Sequence, residues 1–175
     1  VKRLRIPSYE TWRRRRENGQ RGRDVTAGGS GVGFFFDDTA TTEIYTLIER
    51  AAEFKTTVLV TGESGVGKEV VARAVHGLSD RADQPFVPVN CAGLPENLLE
   101  SELFGHMKGS FTGAYRDKPG KLEMARNGTI FLDEIGEMTP RMQGLLLRFL
   151  ETGEIQKVGA EQVVMAANVR VIAAT

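Results

Sequence analysis

The sequence predicts an α/β fold, a parallel β-sheet flanked by helices, and three features of its 175 residues carry that prediction. From residue 47 onward, short apolar runs alternate with longer amphipathic stretches, the pattern of a sheet covered on both faces. One apolar run feeds directly into the glycine-rich stretch GESGVGKE at 62–69 and then into a helical pattern. Another ends on the acidic pair Asp133–Glu134.

The elements follow in order. Residues 1–33 are rich in Arg and Gly, end in AGGSGVG and show no sustained apolar period, so they read as a flexible arm. The run Arg13–Arg16 could touch nucleic acid, but a solvated tail is the favoured reading, and the lone Trp12 makes no stacking platform. The next segment, FFFDDTATTEIYT from Phe34 to Thr46, has no turn or cap logic and resembles a translated sequencing adapter. Residues 1–46 are therefore expected to be a disordered or non-native arm, and residues 47–175 the folded domain.

LIERAAEF, beginning at Leu47, predicts a short amphipathic helix, and Thr57–Thr61 a buried strand. Gly67–Leu78 predicts a helix with Val70, Val71, Ala74 and Val75 on its apolar side. A strand is expected at Phe86–Val89, then a helix from Pro95 to Phe104 with Leu98, Leu99 and Leu103 turned inward. Residues 105–118 hold three glycines and little core material, and so predict a loop. Lys121–Arg126 is expected to be a short helix, Thr129–Leu132 a strand, and Pro140–Glu151 a helix with proline in its first turn. Turn signals follow Gly153, and the apolar run VRVIAAT predicts a last strand. A chain that stops there is expected to be an incomplete domain at its C-terminus.

Formal net charge is zero, so no global field favours DNA or an acidic membrane. Residues 1–25 hold nine Lys or Arg against three acids, which leaves the body mildly acidic. With Cys91 as the only cysteine, an intrachain disulfide and a cysteine zinc site are both excluded. No apolar run reaches the ~20 residues a membrane span needs, and no signal-peptide core follows the basic start, so a cytoplasmic protein without membrane contact is expected. His76 and His106 have no partners at metal-ligand spacing and read as structural or surface residues, and Cys91 as a small buried side chain.

The chemistry lies in two motifs. Gly62, Gly65, Gly67 and Lys68 satisfy G-x-x-x-x-G-K, in which backbone N–H groups approach phosphate oxygens and the lysine neutralises the outer phosphates. The N-terminus of the following helix points its positive end at the same place. The Ser or Thr expected after the lysine is replaced by Glu69. In GTIFLDE, Gly128–Glu134, Asp133 is placed to hold Mg²⁺ and Glu134 to activate a water aimed at a γ-phosphate. Asp133 follows Lys68 by 65 positions with one strand-helix unit between, a separation expected of strands ending on one sheet edge. Together the motifs predict a domain that binds and hydrolyses a nucleotide.

From Val58 to Thr175 the chain resembles the central AAA+ ATPase domain of the sigma-54-dependent transcription activators. GESGVGKE differs from that family's GESGTGKE only at Val66, so Glu69 is a family trait. VNCAGLPENLLESELFGH at 89–106, GTIFLDEIGEM at 128–138 and QGLLLRFLETGEIQKVG at 143–159 also match. The most specific match is GSFTGA (Gly109, Ser110, Phe111, Thr112, Gly113, Ala114) against the family's GAFTGA.

The resemblance implies that Gly62, Glu63, Ser64, Gly65, Val66, Gly67, Lys68 and Glu69 cradle ATP, with Asp133 for Mg²⁺ and Glu134 for catalysis. It implies that the GSFTGA loop contacts sigma-54 and couples hydrolysis to remodelling of the RNA polymerase closed complex. It also implies that Asn90 holds the catalytic glutamate according to nucleotide state, although by its chemistry Asn90 is as readily a turn or capping residue. Phe111 could equally fold back as a core residue, but the motif favours partner contact.

Three departures stand out: Ser110 for the family's Ala, Met107 where Glu is common, and a lead-in before Leu47 that does not match. The family's sensor residue, arginine fingers, helical lid and DNA-binding domain would lie beyond Thr175, with ring assembly, expected to be hexameric, a property of the parent. The fragment is accordingly expected to bind nucleotide weakly and hydrolyse it poorly. The alternatives are another AAA+ ATPase, such as an unfoldase or helicase loader, or a non-catalytic sigma-54-binding module.

Overall fold

The computed structural model describes residues 2–5, 23–26, 33–36, 39–162 and 165–175, with side chains from Ile44 onward except at 163–166. The elements run β1 (Lys2–Arg5), β2 (Arg23–Thr26), β3 (Gly33–Phe36), α1 (Thr39–Ala52), β4 (Val58–Thr61), α2 (Lys68–Gly77), β5 (Phe86–Asn90), α3 (Glu96–Phe104), β6 (Gly105–His106) and β7 (Lys118–Pro119). There follow α4 (Lys121–Met124), β8 (Thr129–Asp133), a 3-10 turn (Ile135–Glu137), α5 (Pro140–Thr152), β9 (Glu154–Ile155), β10 (Met165–Ala166) and β11 (Arg170–Ala174). The main sheet has the hydrogen-bonded order β1-β4-β11-β8-β5. β1 pairs with β4, β4 with β11 and β5 with β8, each in parallel, so the predicted α/β class with helical crossovers is what the chain forms.

Two compact units divide the chain, Val1–Asp83 with Ile172–Thr175, and Gln84–Val171. In the first, β4 has Val58 and Val60 fully buried, which explains why this strand reads as an unbroken apolar run. Ile172 and Ala174 of β11 stand in register with Val58 and Val60. Helix α1 packs beside α2 and buries Ile48, Ala51 and Ala52. On α2 the buried face is Val71, Ala72, Ala74, Val75 and His76. Val70, expected on that face, is 39 % exposed, because the helical turn carries it to the rim beside Val71 and Ala74.

Among residues 1–46 the described segments are β1, β2, β3 and the start of α1. β1 pairs along β4, β2 and β3 form an antiparallel pair, and α1 begins at Thr39, eight residues before the expected start. An edge strand exchanges only backbone hydrogen bonds with its neighbour, so a charged segment such as KRLR can supply one without an apolar pattern.

The second unit has its own core, in which Leu99, Leu103, Leu122, Ile130, Leu132, Met142, Leu146 and Phe149 are buried together. Leu98, expected inward, is 47 % exposed, since Leu99 and Leu103 at i,i+4 define the buried face of α3. β5 and β8 run in register from Phe86↔Thr129 to Asn90↔Asp133, and Phe86 stacks on Phe131 with ring centroids 6.2 Å apart. Gly128 enters β8 so close to the chain at Pro85 that an added Cβ would lie 2.1 Å from the Pro85 carbonyl oxygen. α5 starts with Thr139, whose hydroxyl oxygen accepts the Met142 N–H at 3.3 Å, and ends at Gly153 in the left-handed region (φ 73°). Among the described residues no helix is long and apolar enough to cross a membrane.

Candidate functional site

The glycine loop lies wholly in the first unit. Gly65 (φ 78°) and Gly67 (φ 90°) both adopt left-handed backbone, which other residues enter only with strain, so the loop's shape demands glycine at those positions. Gly67 also stands at the N-cap of α2, where no side chain bonds the helix's first N–H groups. The first intrahelical bond is Val71 N–H to Gly67 O at 3.1 Å. Those leading N–H groups are thus left to whatever anion the loop encloses. Lys68 Nζ turns back over the loop and donates to Gly62 O (2.9 Å) and Glu63 O (3.3 Å). That curl holds its ammonium at the loop. Glu69 is tied to Arg73 one turn on, at 2.6 and 2.9 Å, so the carboxylate standing in place of the expected hydroxyl already has a cationic partner.

The acidic strand end lies wholly in the second unit, where the paired strands bring Asn90, Cys91, Asp133 and Glu134 together. Glu134 follows β8 in left-handed backbone (φ 53°, ψ 43°), an uncommon state for a residue with a side chain. Its N–H donates to Asp133 Oδ1 at 3.0 Å, and its carbonyl accepts the Glu137 N–H at 3.0 Å. A sharp turn held at both ends therefore fixes where the Glu134 side chain leaves the strand. Strain of this kind persists only where the surrounding bonds over-determine the backbone. Glu134→Gly should raise stability by about 1 kcal/mol by relieving the left-handed strain. Denaturant unfolding checks this, and a destabilised variant would show that the turn needs the glutamate side chain.

Asn90 is held by its own turn: its Oδ1 accepts the Ala92 N–H at 2.8 Å. This is the turn role that its chemistry allowed. The Cys91 N–H continues the ladder by donating to Asp133 O at 3.0 Å. Burial, followed by the negative charges of Asp133 and Glu134, pushes the Cys91 thiol from 9.0 up to about 12. Such a thiol is no nucleophile near neutrality.

A pH dependence follows. Well below pH 9.0 the thiol is protonated whether the chain is folded or not, and adds no slope. Between 9.0 and about 12 the unfolded chain has released a proton that the folded chain keeps, so stability falls as pH rises through that window. Urea melts from pH 8 to 11 should show this fall in the parent and a shallower one in Cys91→Ala. Equal slopes would remove the thiol as the cause.

The GSFTGA segment forms a closed loop. Gly109 N–H donates to Ala114 O (2.8 Å), Ala114 N–H to Phe111 O (3.0 Å), and Ser110 Oγ to Met107 O (2.8 Å). The hydroxyl by which this chain departs from the family's Ala is therefore absorbed by the loop's own backbone. Met107, where a charge is common, donates its N–H to Val158 O at 3.0 Å. Phe111 is 38 % exposed, Tyr115 is 86 % exposed, and Ala114 is buried. Phe111 thus does not fold back wholly into the core: it rests edge-on against His106 while keeping an exposed face. His106 was foreseen only as a structural or surface residue; no local spacing marks its partners.

The fold and the glycine loop define a P-loop NTPase domain. The profile of the Sigma-54 interaction domain matches residues 34–175, and the chain belongs to that family. Its relatives include the Nif-specific regulatory protein of Azospirillum lipoferum, 54 % identical over 133 residues, covering 76 % of this chain and 21 % of that protein. The luminescence regulatory protein LuxO of Vibrio campbellii is 48 % identical over 143 residues, covering 82 % of this chain and 31 % of that protein. Among solved structures, NtrX from Brucella abortus in complex with ATP superposes with a TM-score of 0.72 at 36 % identity, covering 80 % of this chain and 29 % of that one. The chain spans a fifth to a third of the length of these proteins.

Proposed function

We infer that this chain is the ATP-binding and ATP-hydrolysing module of a sigma-54-dependent transcription regulator. The observation that carries the reading is the left-handed glycine loop ahead of an uncapped helix N-terminus with Lys68 curled over it, because such a loop has donors and a cation and needs an anion. That NtrX is solved with ATP supports the same substrate. Residues Gly62–Glu69 enclose the phosphates and Lys68 contacts the β- and γ-phosphates. Asp133 is the side chain that fits a divalent cation, since one of its carboxylate oxygens accepts the Glu134 N–H and the group is only half-buried at the strand end. Mg²⁺, when bound, supplies charge neutralisation of the phosphates. Glu134 orients and deprotonates the attacking water. Asn90 is read as the nucleotide-dependent partner of Glu134, a role that requires it to leave its turn bond to Ala92.

Gly109–Ala114 engage sigma-54, and hydrolysis drives remodelling of the RNA polymerase closed complex. Ring self-association, hexameric by analogy, and DNA contact through another domain belong to the parent protein, which acts in the cytoplasm.

Titration of the chain with ATP and with ADP, each with and without Mg²⁺, tests the reading by calorimetry. Saturable binding of both is expected. A folded chain that binds neither nucleotide would overturn the ATPase reading and leave the non-catalytic module as the alternative.

A further inference from the structure

Two aromatic side chains flank the tip of the GSFTGA loop, and they are treated differently. Tyr115 is 86 % exposed, whereas Phe111 has most of its surface covered. What covers it includes the ring of His106, met edge-on with centroids 4.9 Å apart and planes at 69°, a favoured geometry for aromatic pairs.

His106 is itself immobilised from several directions. Its ring is buried, and its Nδ1 lies 2.7 Å from the buried hydroxyl of Ser101 on α3, which fixes the ring's rotation. Its backbone pairs with Lys118 in the β6–β7 ladder and bridges to Val158. Val158 N–H donates to Gly105 O at 2.9 Å, on the other side of the same short strand. Gly159 then lies so close to the loop that a Cβ there would come within 2.5 Å of Ser110 Cβ. The shelf under Phe111 is therefore rigid, while Phe111 sits on a loop whose tip residues Thr112 and Gly113 are exposed.

We propose that His106 is a positioning residue, a fixed aromatic shelf on which Phe111 is docked, so that the loop offers Phe111 to its partner only when that contact opens. This rests on the reading of the loop as a sigma-54 contact for its biological meaning, but the docking itself does not. A partner that needs the Phe111 ring binds only the undocked fraction of molecules, so the shelf lowers apparent affinity by that fraction.

The test uses the full chain with His106→Leu, His106→Phe and Phe111→Leu. In the parent, the Gly109 and Ala114 amides are held by the closed loop. His106→Leu and Phe111→Leu should each speed hydrogen exchange at those amides by about threefold to tenfold, the range an aromatic pair supports. His106→Phe, which keeps an aromatic edge and loses the Ser101 bond, should stay closer to the parent than His106→Leu does. Purified sigma-54 should bind His106→Leu about threefold to tenfold more tightly than the parent, by the same opening.

Unchanged exchange in folded His106→Leu overturns the shelf. Should that variant fail to fold, unchanged exchange in Phe111→Leu does so instead. Faster exchange with unaltered or weaker sigma-54 binding shows that docking does not limit presentation, and overturns the gating. If the parent and every variant ignore sigma-54 while exchange responds as expected, the partner assignment fails and the shelf stands.

Discussion

Glu134→Gln is expected to lower ATP turnover by about two to four orders of magnitude, the range that a positioned general base contributes. The substitution keeps the shape of the side chain and the hydrogen bonds that hold its backbone, from Glu134 N–H to Asp133 Oδ1 and from Glu137 N–H to Glu134 O. Only the proton acceptor is lost. Nucleotide affinity should therefore stay near the parent's, which separates a chemical role from a structural one. Turnover is best read after exchanging this domain into the corresponding segment of the Azospirillum lipoferum Nif-specific regulatory protein, with which it shares 54 % identity. Phosphate release undiminished by Glu134→Gln in that hybrid would remove Glu134 from the reaction.

The second large effect falls on binding. Lys68→Ala removes the ammonium that now lies 2.9 Å from Gly62 O, and should weaken ATP binding by at least about tenfold, the worth of a charge-assisted hydrogen bond. ADP should suffer less if the lysine also serves the γ-phosphate. The fold should survive, because the lost bonds are made to carbonyls at the edge of the loop, one of them exposed. Isothermal titration of the variant, with a melting curve beside it, decides the matter. Parent-like affinity for ATP would mean that the loop's N–H groups bind phosphate without the lysine.

Much of this was legible locally. An apolar strand, glycines at fixed spacing and a lysine at the start of a helix lie within twelve residues, and their geometry is set by neighbours along the chain. Gly67 had to be glycine because the N-cap position turns left-handed there. Thr139 followed by proline set the start of α5 in the same way, as did Gly153 its end. The turn role of Asn90 was also readable, since the N–H it binds lies two residues away.

What was not legible depended on distant neighbours or on which neighbour prevailed. Val70 and Leu98 belong to amphipathic helices as expected, yet they sit on the rim, because the buried arc is fixed by what packs against it. β1 gave no apolar signal because it pairs through its backbone along β4. The left-handed turn at Glu134 has no glycine to announce it, and is held by bonds on either side.

The sequence by itself determined the class of fold, the phosphate loop and the family, because each is written in short-range spacing that the backbone obeys wherever it lies. Only the tertiary structure decided that Lys68 folds over its loop, that Cys91 is silenced by burial and then by the charges at the end of a neighbouring strand, and that Phe111 rests on a histidine anchored by Ser101. Those outcomes come from burial and from the directions of hydrogen bonds between side chains and backbone, and neither exists until the chain has closed on itself.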